Sequence, residues 1–126
     1  MHPGIHAAAD PERIAYIVVP NGETVTYRQL EDRSNQCAQL FRSLGLKRGD
    51  VIAILLENHS RYHEIAWAAD RAGLYYTCIS TRLSVEEAAF ILRDSASHCM
   101  NLANNACLFA VAARCFHCRS ARAFRR

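Results

Sequence analysis

The sequence predicts an α/β fold with an open, layered sheet, and three observations carry that prediction. Up to Asp94, β-rich runs alternate with runs of helical period, which implies strands joined by right-handed crossovers. One of the β-rich runs, Val51–Leu56 (VIAILL), is apolar without a break, as suits a strand covered on both faces. Turn and helix-stop residues (Asn21-Gly22, Gly45, Gly73) fall between these runs rather than inside them.

The elements follow in order. Ala15–Val19 is β-rich, and PNGE (Pro20–Glu23) supplies a tight turn, because Asn and Gly tolerate positive φ. Thr24–Tyr27 returns as the second strand of a hairpin. Thr26 and Gln29 form a capping-box pattern that opens a helix, with Leu30, Cys37, Phe41 and Leu44 at helical spacing and Gly45 as its stop. The strand Val51–Leu56 comes next. A second helix runs from Arg61 to about Ala72, with Tyr62, Ile65, Ala66 and Ala69 on its inner side, and Gly73 ends it. Leu74–Ile79 is a further strand. Ser84 and Glu87 make another capping box, opening a helix that turns Ala88, Ile91 and Leu92 inward.

Composition is that of a globular chain, 51% apolar and 21% charged. The net charge of +3 hides a division. Residues 1–94 carry 10 Lys/Arg and 12 Asp/Glu, whereas residues 95–126 carry five arginines and no acid. The body therefore offers nothing to nucleic acid. No apolar run reaches the roughly 20 residues of a membrane span, and the start lacks a basic segment followed by an apolar one. A cytoplasmic location is expected, where thiols stay reduced.

The pattern breaks at ILRDSASHCM (Ile91–Met100). No glycine occurs after Gly73, and four of the six cysteines lie in the last 28 residues. The expected organisation is an ordered part, residues 1–95, and an Arg/Cys-rich tail, 96–126, irregular or weakly helical from about Ala106. A shift of reading frame near Ser95–His98 would account for the changes of charge, glycine and cysteine together.

Two segments resemble a known family. VTYRQL followed by LGLKRGDVIAILLEN is similar to the opening strand–helix–strand of the adenylate-forming (AMP-binding) enzymes. AADRAGLYYTCISTRLSVEEAAFILRDS is similar to their next segment, with Cys78 where proline is usual. The pair Tyr75-Tyr76 favours the fatty-acid–CoA ligase branch over peptide-synthetase modules. The resemblance covers residues 1–95. It implies the N-terminal part of that family's layered sheet. It also implies a protein whose relatives use ATP and Mg²⁺ to convert a fatty acid to an acyl-adenylate and then pass the acyl group to coenzyme A.

Residues for that chemistry are not evident in the sequence. Adenylation needs the phosphates neutralised and positioned, and the family does so with a Thr/Ser/Gly-rich loop ending in lysine. The glycines here (4, 22, 45, 49, 73) do not cluster as a phosphate cradle, and the single lysine, Lys47, falls in a turn. No catalytic, cofactor-binding or metal-binding residue is therefore assigned, and the chain is expected to be inactive by itself.

Other patterns fare no better. His59 and His63 are spaced for one helix face but have no third ligand in view. HEIAW has Trp67 where a zinc-protease motif needs histidine, and Arg48–Asp50 (RGD) reads as a turn. Cys115-x-x-Cys118, with His117 inside it, lacks a second pair, since Cys99 and Cys107 are eight apart. Two alternatives remain: a non-catalytic module docking on a full-length ligase, or a tail whose arginines 114, 119, 122, 125 and 126 and cysteines give it membrane or metal affinity. Self-association through an exposed sheet edge is also expected.

Overall fold

The computed structural model describes residues 2–19, 21–57, 59–101 and 108–110. The chain divides into two compact units, Met1–Gly49 with Asn58–Tyr75, and Asp50–Glu57 with Tyr76–Arg126. The predicted order of hairpin, helix, strand, helix, strand, helix is present, with one helix before it and two strands after it.

The first unit begins with that extra helix, α1 (Pro3–Ala9). His2 caps it, Nδ1 accepting the Gly4 N–H at 3.1 Å, and Pro3 occupies the first turn, where a missing N–H costs nothing. The strands β1 (Ile14–Val18) and β2 (Glu23–Thr26) pair antiparallel as a separate two-stranded sheet. The turn closes through the Gly22 N–H on the Val18 carbonyl at 2.9 Å, and Asn21 Oδ1 accepts the Glu23 N–H.

Helix α2 (Tyr27–Ser43) starts on the predicted capping box: Thr26 Oγ1 accepts from Gln29 N, and Gln29 Oε1 accepts from Thr26 N. It ends on Gly45, whose left-handed φ of 83° lets the Gly45 and Leu46 amides reach the Arg42 and Phe41 carbonyls. Its buried stripe is Leu30, Ser34, Ala38 and Phe41. Of the residues at helical spacing in the sequence, Leu30 and Phe41 are buried, Cys37 is half-buried and Leu44 is exposed. Small side chains at 34 and 38 occupy the buried seam, and the Ser34 hydroxyl stays satisfied on the Glu31 carbonyl at 3.0 Å.

Helix α3 (Arg61–Ala72) packs against α2 and ends on Gly73 with the same carbonyl-closing pattern. It buries Glu64, Ile65, Ala68 and Ala69, while Tyr62 and Ala66 are half-buried. The predicted inner side is thus rotated, and the reason is an ion pair: buried Glu64 accepts from Arg33 Nη1 of α2 at 2.9 Å.

The second unit holds β3 (Val51–Leu55), β4 (Tyr75–Ile79, its first residue grouping with the other unit), α4 (Val85–Asp94), β5 (His98–Asn101) and β6 (Leu108–Ala110). The strand order is β4-β3-β5-β6, with β5 parallel to β3 and antiparallel to β6. Ile52, Ala53, Ile54 and Leu55 are all buried, as the uninterrupted apolar run requires of an inner strand. Ala53, Leu55, Ile79 and Ala88 form one core cluster, with Ile91 and Leu92 packed against it.

The predicted capping box opens α4, Ser84 and Glu87 exchanging side-chain and backbone bonds at 2.8 and 3.2 Å. Accepting the Ser84 N–H holds the Glu87 carboxyl below its ordinary range. Helix α4 ends at Asp94, with Ser95 as its C-cap, inside the stretch Ile91–Met100 where the sequence pattern breaks. Strand β6 falls within the stretch expected to be helical from about Ala106, which corrects that expectation at Leu108–Ala110. The remainder of that stretch lies outside the described residues.

Candidate functional site

The residues singled out in the sequence do not converge. Lys47 is exposed in the turn between α2 and β3. In the RGD turn, the Gly49 N–H donates to the Gly73 carbonyl at 2.8 Å, tying that turn to the end of α3. His59 is engaged at the start of α3, where its Nδ1 accepts the Arg61 N–H at 3.1 Å. His63 instead packs on the Tyr16 ring, with centroids 4.9 Å apart. Among the described residues, no group of three His, Cys, Asp or Glu side chains comes together as a metal site. Cys107, Cys115, His117, Cys118 and the tail arginines lie outside the described residues.

A site that the sequence did not reveal lies within the first unit. It is a hollow of about 360 Å³ between α1, the hairpin, α2 and α3. His6, Tyr16, Tyr27, His63 and Trp67 wall it, with Pro3, Ala15 and Leu30 as aliphatic surface. Each large ring is braced by an imidazole: His2 meets Trp67 edge-on at 5.6 Å, His6 lies 4.9 Å from Tyr27, and His63 lies against Tyr16.

One wall is tied down by polar contacts. The Tyr16 hydroxyl donates to the Ser60 carbonyl at 2.6 Å. Burial, and then the nearby Glu64 carboxylate, push the Tyr16 phenol well above its ordinary value, so it stays a protonated donor. Arg33 is held more firmly protonated by its bond to Glu64. A second ion pair joins α2 to α3: Arg71 Nη2 donates to Glu31 at 2.6 Å, and the same carboxylate accepts from Asn35. The ring positions 6, 16, 27 and 63 are scattered along the chain. The one local signal is the i, i+4 spacing of His63 and Trp67 on α3.

Comparison with known proteins identifies the architecture. A family model described as AMP-binding enzyme matches residues 5–118, beyond residue 95, where the resemblance read from the sequence ends. The chain is 33% identical over 91 residues to the long-chain-fatty-acid–CoA ligase FadD13 of Mycobacterium tuberculosis, aligning 72% of this chain with 18% of that protein. It is 38% identical over 85 residues to human long-chain fatty acid transport protein 1, aligning 68% of this chain with 13% of that one. It thus spans less than a fifth of the length of either relative.

Among solved structures, a Mycobacterium tuberculosis fatty acyl CoA synthetase superposes with a TM-score of 0.73 at 30% identity, over 79% of this chain and 20% of that one. The o-succinylbenzoate coenzyme A synthetase of Bacillus subtilis, in complex with ATP and magnesium ion, gives 0.72 at 31%, over 79% and 27%. These neighbours share the mixed α/β arrangement over 79% of this chain.

Proposed function

The chain belongs to the AMP-binding enzyme family, and from that premise we propose that its residues are the scaffold of a fatty-acid–CoA ligase's first sheet, without adenylating activity by themselves. The observation that carries this reading is the 33% identity to FadD13 over 91 residues, combined with the roles the glycines of this segment take. Gly22 and Gly49 sit in turns, while Gly45 and Gly73 end helices, so none contributes to a phosphate cradle. No step of adenylation is assigned to the described residues. The nucleotide, the metal and coenzyme A belong to segments of the family beyond those matched here.

The deciding assay is ATP–pyrophosphate exchange with a long-chain fatty acid, using the purified 126-residue chain. No exchange above a blank is expected. Clear exchange that depends on the fatty acid would overturn the proposal.

Residues 96–126 enter this reading as a shifted frame, supported by their arginine and cysteine content and by the absence of acidic residues and glycine from them. Resequencing downstream of the Ile91 codon tests it. A second frame that resumes with a glycine-rich Thr/Ser loop ending in lysine is the expected result, and its absence would refute the shift. No helix among the described residues is long and apolar enough to cross a membrane.

A second reading is docking on a ligase partner. Exposed Tyr75, Tyr76 and Phe90 favour it, since apolar side chains of this size in solvent suit a contact surface. Co-purification with a ligase that lacks this segment would support it, and separate elution at micromolar concentration would count against it.

A further inference from the structure

We propose that the hollow of the first unit is a binding site for a small quaternary ammonium ion of the choline type. Three electron-rich rings, Tyr16, Tyr27 and Trp67, line it, and they come from three different elements, so they surround a space rather than stack in a row. Rings placed in this way attract a cation through their negative faces, most strongly where water is excluded.

The wall carries no lysine or arginine. Glu64, adjacent to His63 on α3, adds a negative field at Tyr16 that outweighs the opposing field of Arg33. Both features disfavour an anion. The volume, about 360 Å³, lies at the small end of ligand pockets, which run from about 300 to 1,000 Å³. It suits a compact headgroup and excludes a long acyl chain. Organisation before binding is provided by the imidazoles of His2, His6 and His63, each packed against one of the three rings.

The probe is built in, because Trp67 is the only tryptophan in the chain. The full chain is titrated with choline, with its uncharged isostere 3,3-dimethylbutan-1-ol, and with phosphatidylcholine vesicles at matched headgroup concentration, while Trp67 emission is followed. A saturable change with choline, absent with the alcohol, is expected. An equal response to both would show that shape alone is read, and no saturable change with choline would show that no site exists. A stronger response to vesicles than to free choline would also overturn the proposal, in favour of a lipid surface.

Tyr27→Leu should weaken choline binding about fivefold or more, with its helical circular dichroism checked against the parent. Tyr75→Phe, at an exposed ring that does not line the hollow, should bind choline as the parent does. Unchanged choline binding in Tyr27→Leu with folding intact would refute recognition through ring faces.

Discussion

Arg33 and Glu64 join α2 to α3 through a 2.9 Å contact in which the acid is buried and the base is not: the Glu64 side chain is 9% exposed and that of Arg33 is 43%. The asymmetry determines which replacement is harmful. Arg33→Leu leaves a carboxylate in the helix seam without its donor, and the unpaired charge governs the cost. After discounting for the solvent that reaches Arg33, the loss should be about 2 kcal/mol. Urea unfolding measures it. The double change Arg33→Leu with Glu64→Leu should recover most of that loss, and failure to recover would show that the pair itself, not the stranded charge, stabilises the seam.

Ala96 repeats at the end of α4 what Gly73 does at the end of α3. Gly73 is the C-cap itself and Ala96 follows the cap Ser95; both adopt a left-handed φ, 71° and 48°, and in both the residue's own amide and the next one close onto the last turn. Alanine carries a Cβ into this conformation and glycine does not. Ala96→Gly should therefore stabilise the chain by about 1 kcal/mol, less the entropy glycine adds to the unfolded state. Gly73→Ala should act in the opposite direction and more strongly, since the added Cβ would also come within 2.9 Å of Arg48 Cγ. Thermal midpoints of the two variants should lie on either side of the parent.

The Tyr16 hydroxyl predicts a response to alkali. Its phenol titrates above the ordinary value of 10.0 in the folded state. Stability from this group is then fully present below that value and is lost as pH rises beyond it, because only the unfolded phenol ionises. At neutral pH, Tyr16→Phe should cost about 1 kcal/mol by stranding the Ser60 carbonyl. The gap between parent and variant should narrow above about pH 10. Denaturation midpoints at neutral and alkaline pH check this, and a constant gap would show that the phenol ionises equally in both states.

These sites show where sequence reasoning succeeds. Both capping boxes, Thr26–Gln29 and Ser84–Glu87, were legible because each is a local exchange of two hydrogen bonds. Gly45 and Gly73 were legible for the same reason. Helix α1 escaped notice because histidine is an unusual N-cap and seven residues show little periodicity. The burial of Glu64 was not legible in the sequence because it depends on Arg33, 31 positions away. The aromatic hollow was illegible in the same sense, its rings being assembled from α1, the hairpin, α2 and α3. Strand β5 carries no alternation in His98–Asn101 to announce it, and its pairing with β3 is long-range.

Strand β1 carries the prediction about association. Ile17 is 57% exposed, and Val19, just beyond the strand, is 78% exposed. Among the described residues β1 pairs only with β2, so one side of a short apolar strand has no strand beside it. Such an edge recruits other chains unless charge is placed on it. Ile17→Lys should raise the monomer fraction in size-exclusion chromatography and reduce precipitation, with little effect on stability because the side chain is already in solvent. A double change with Val19→Lys should go further. If the parent elutes as a monomer at all concentrations up to about 100 μM, the edge is not adhesive and this account of it fails.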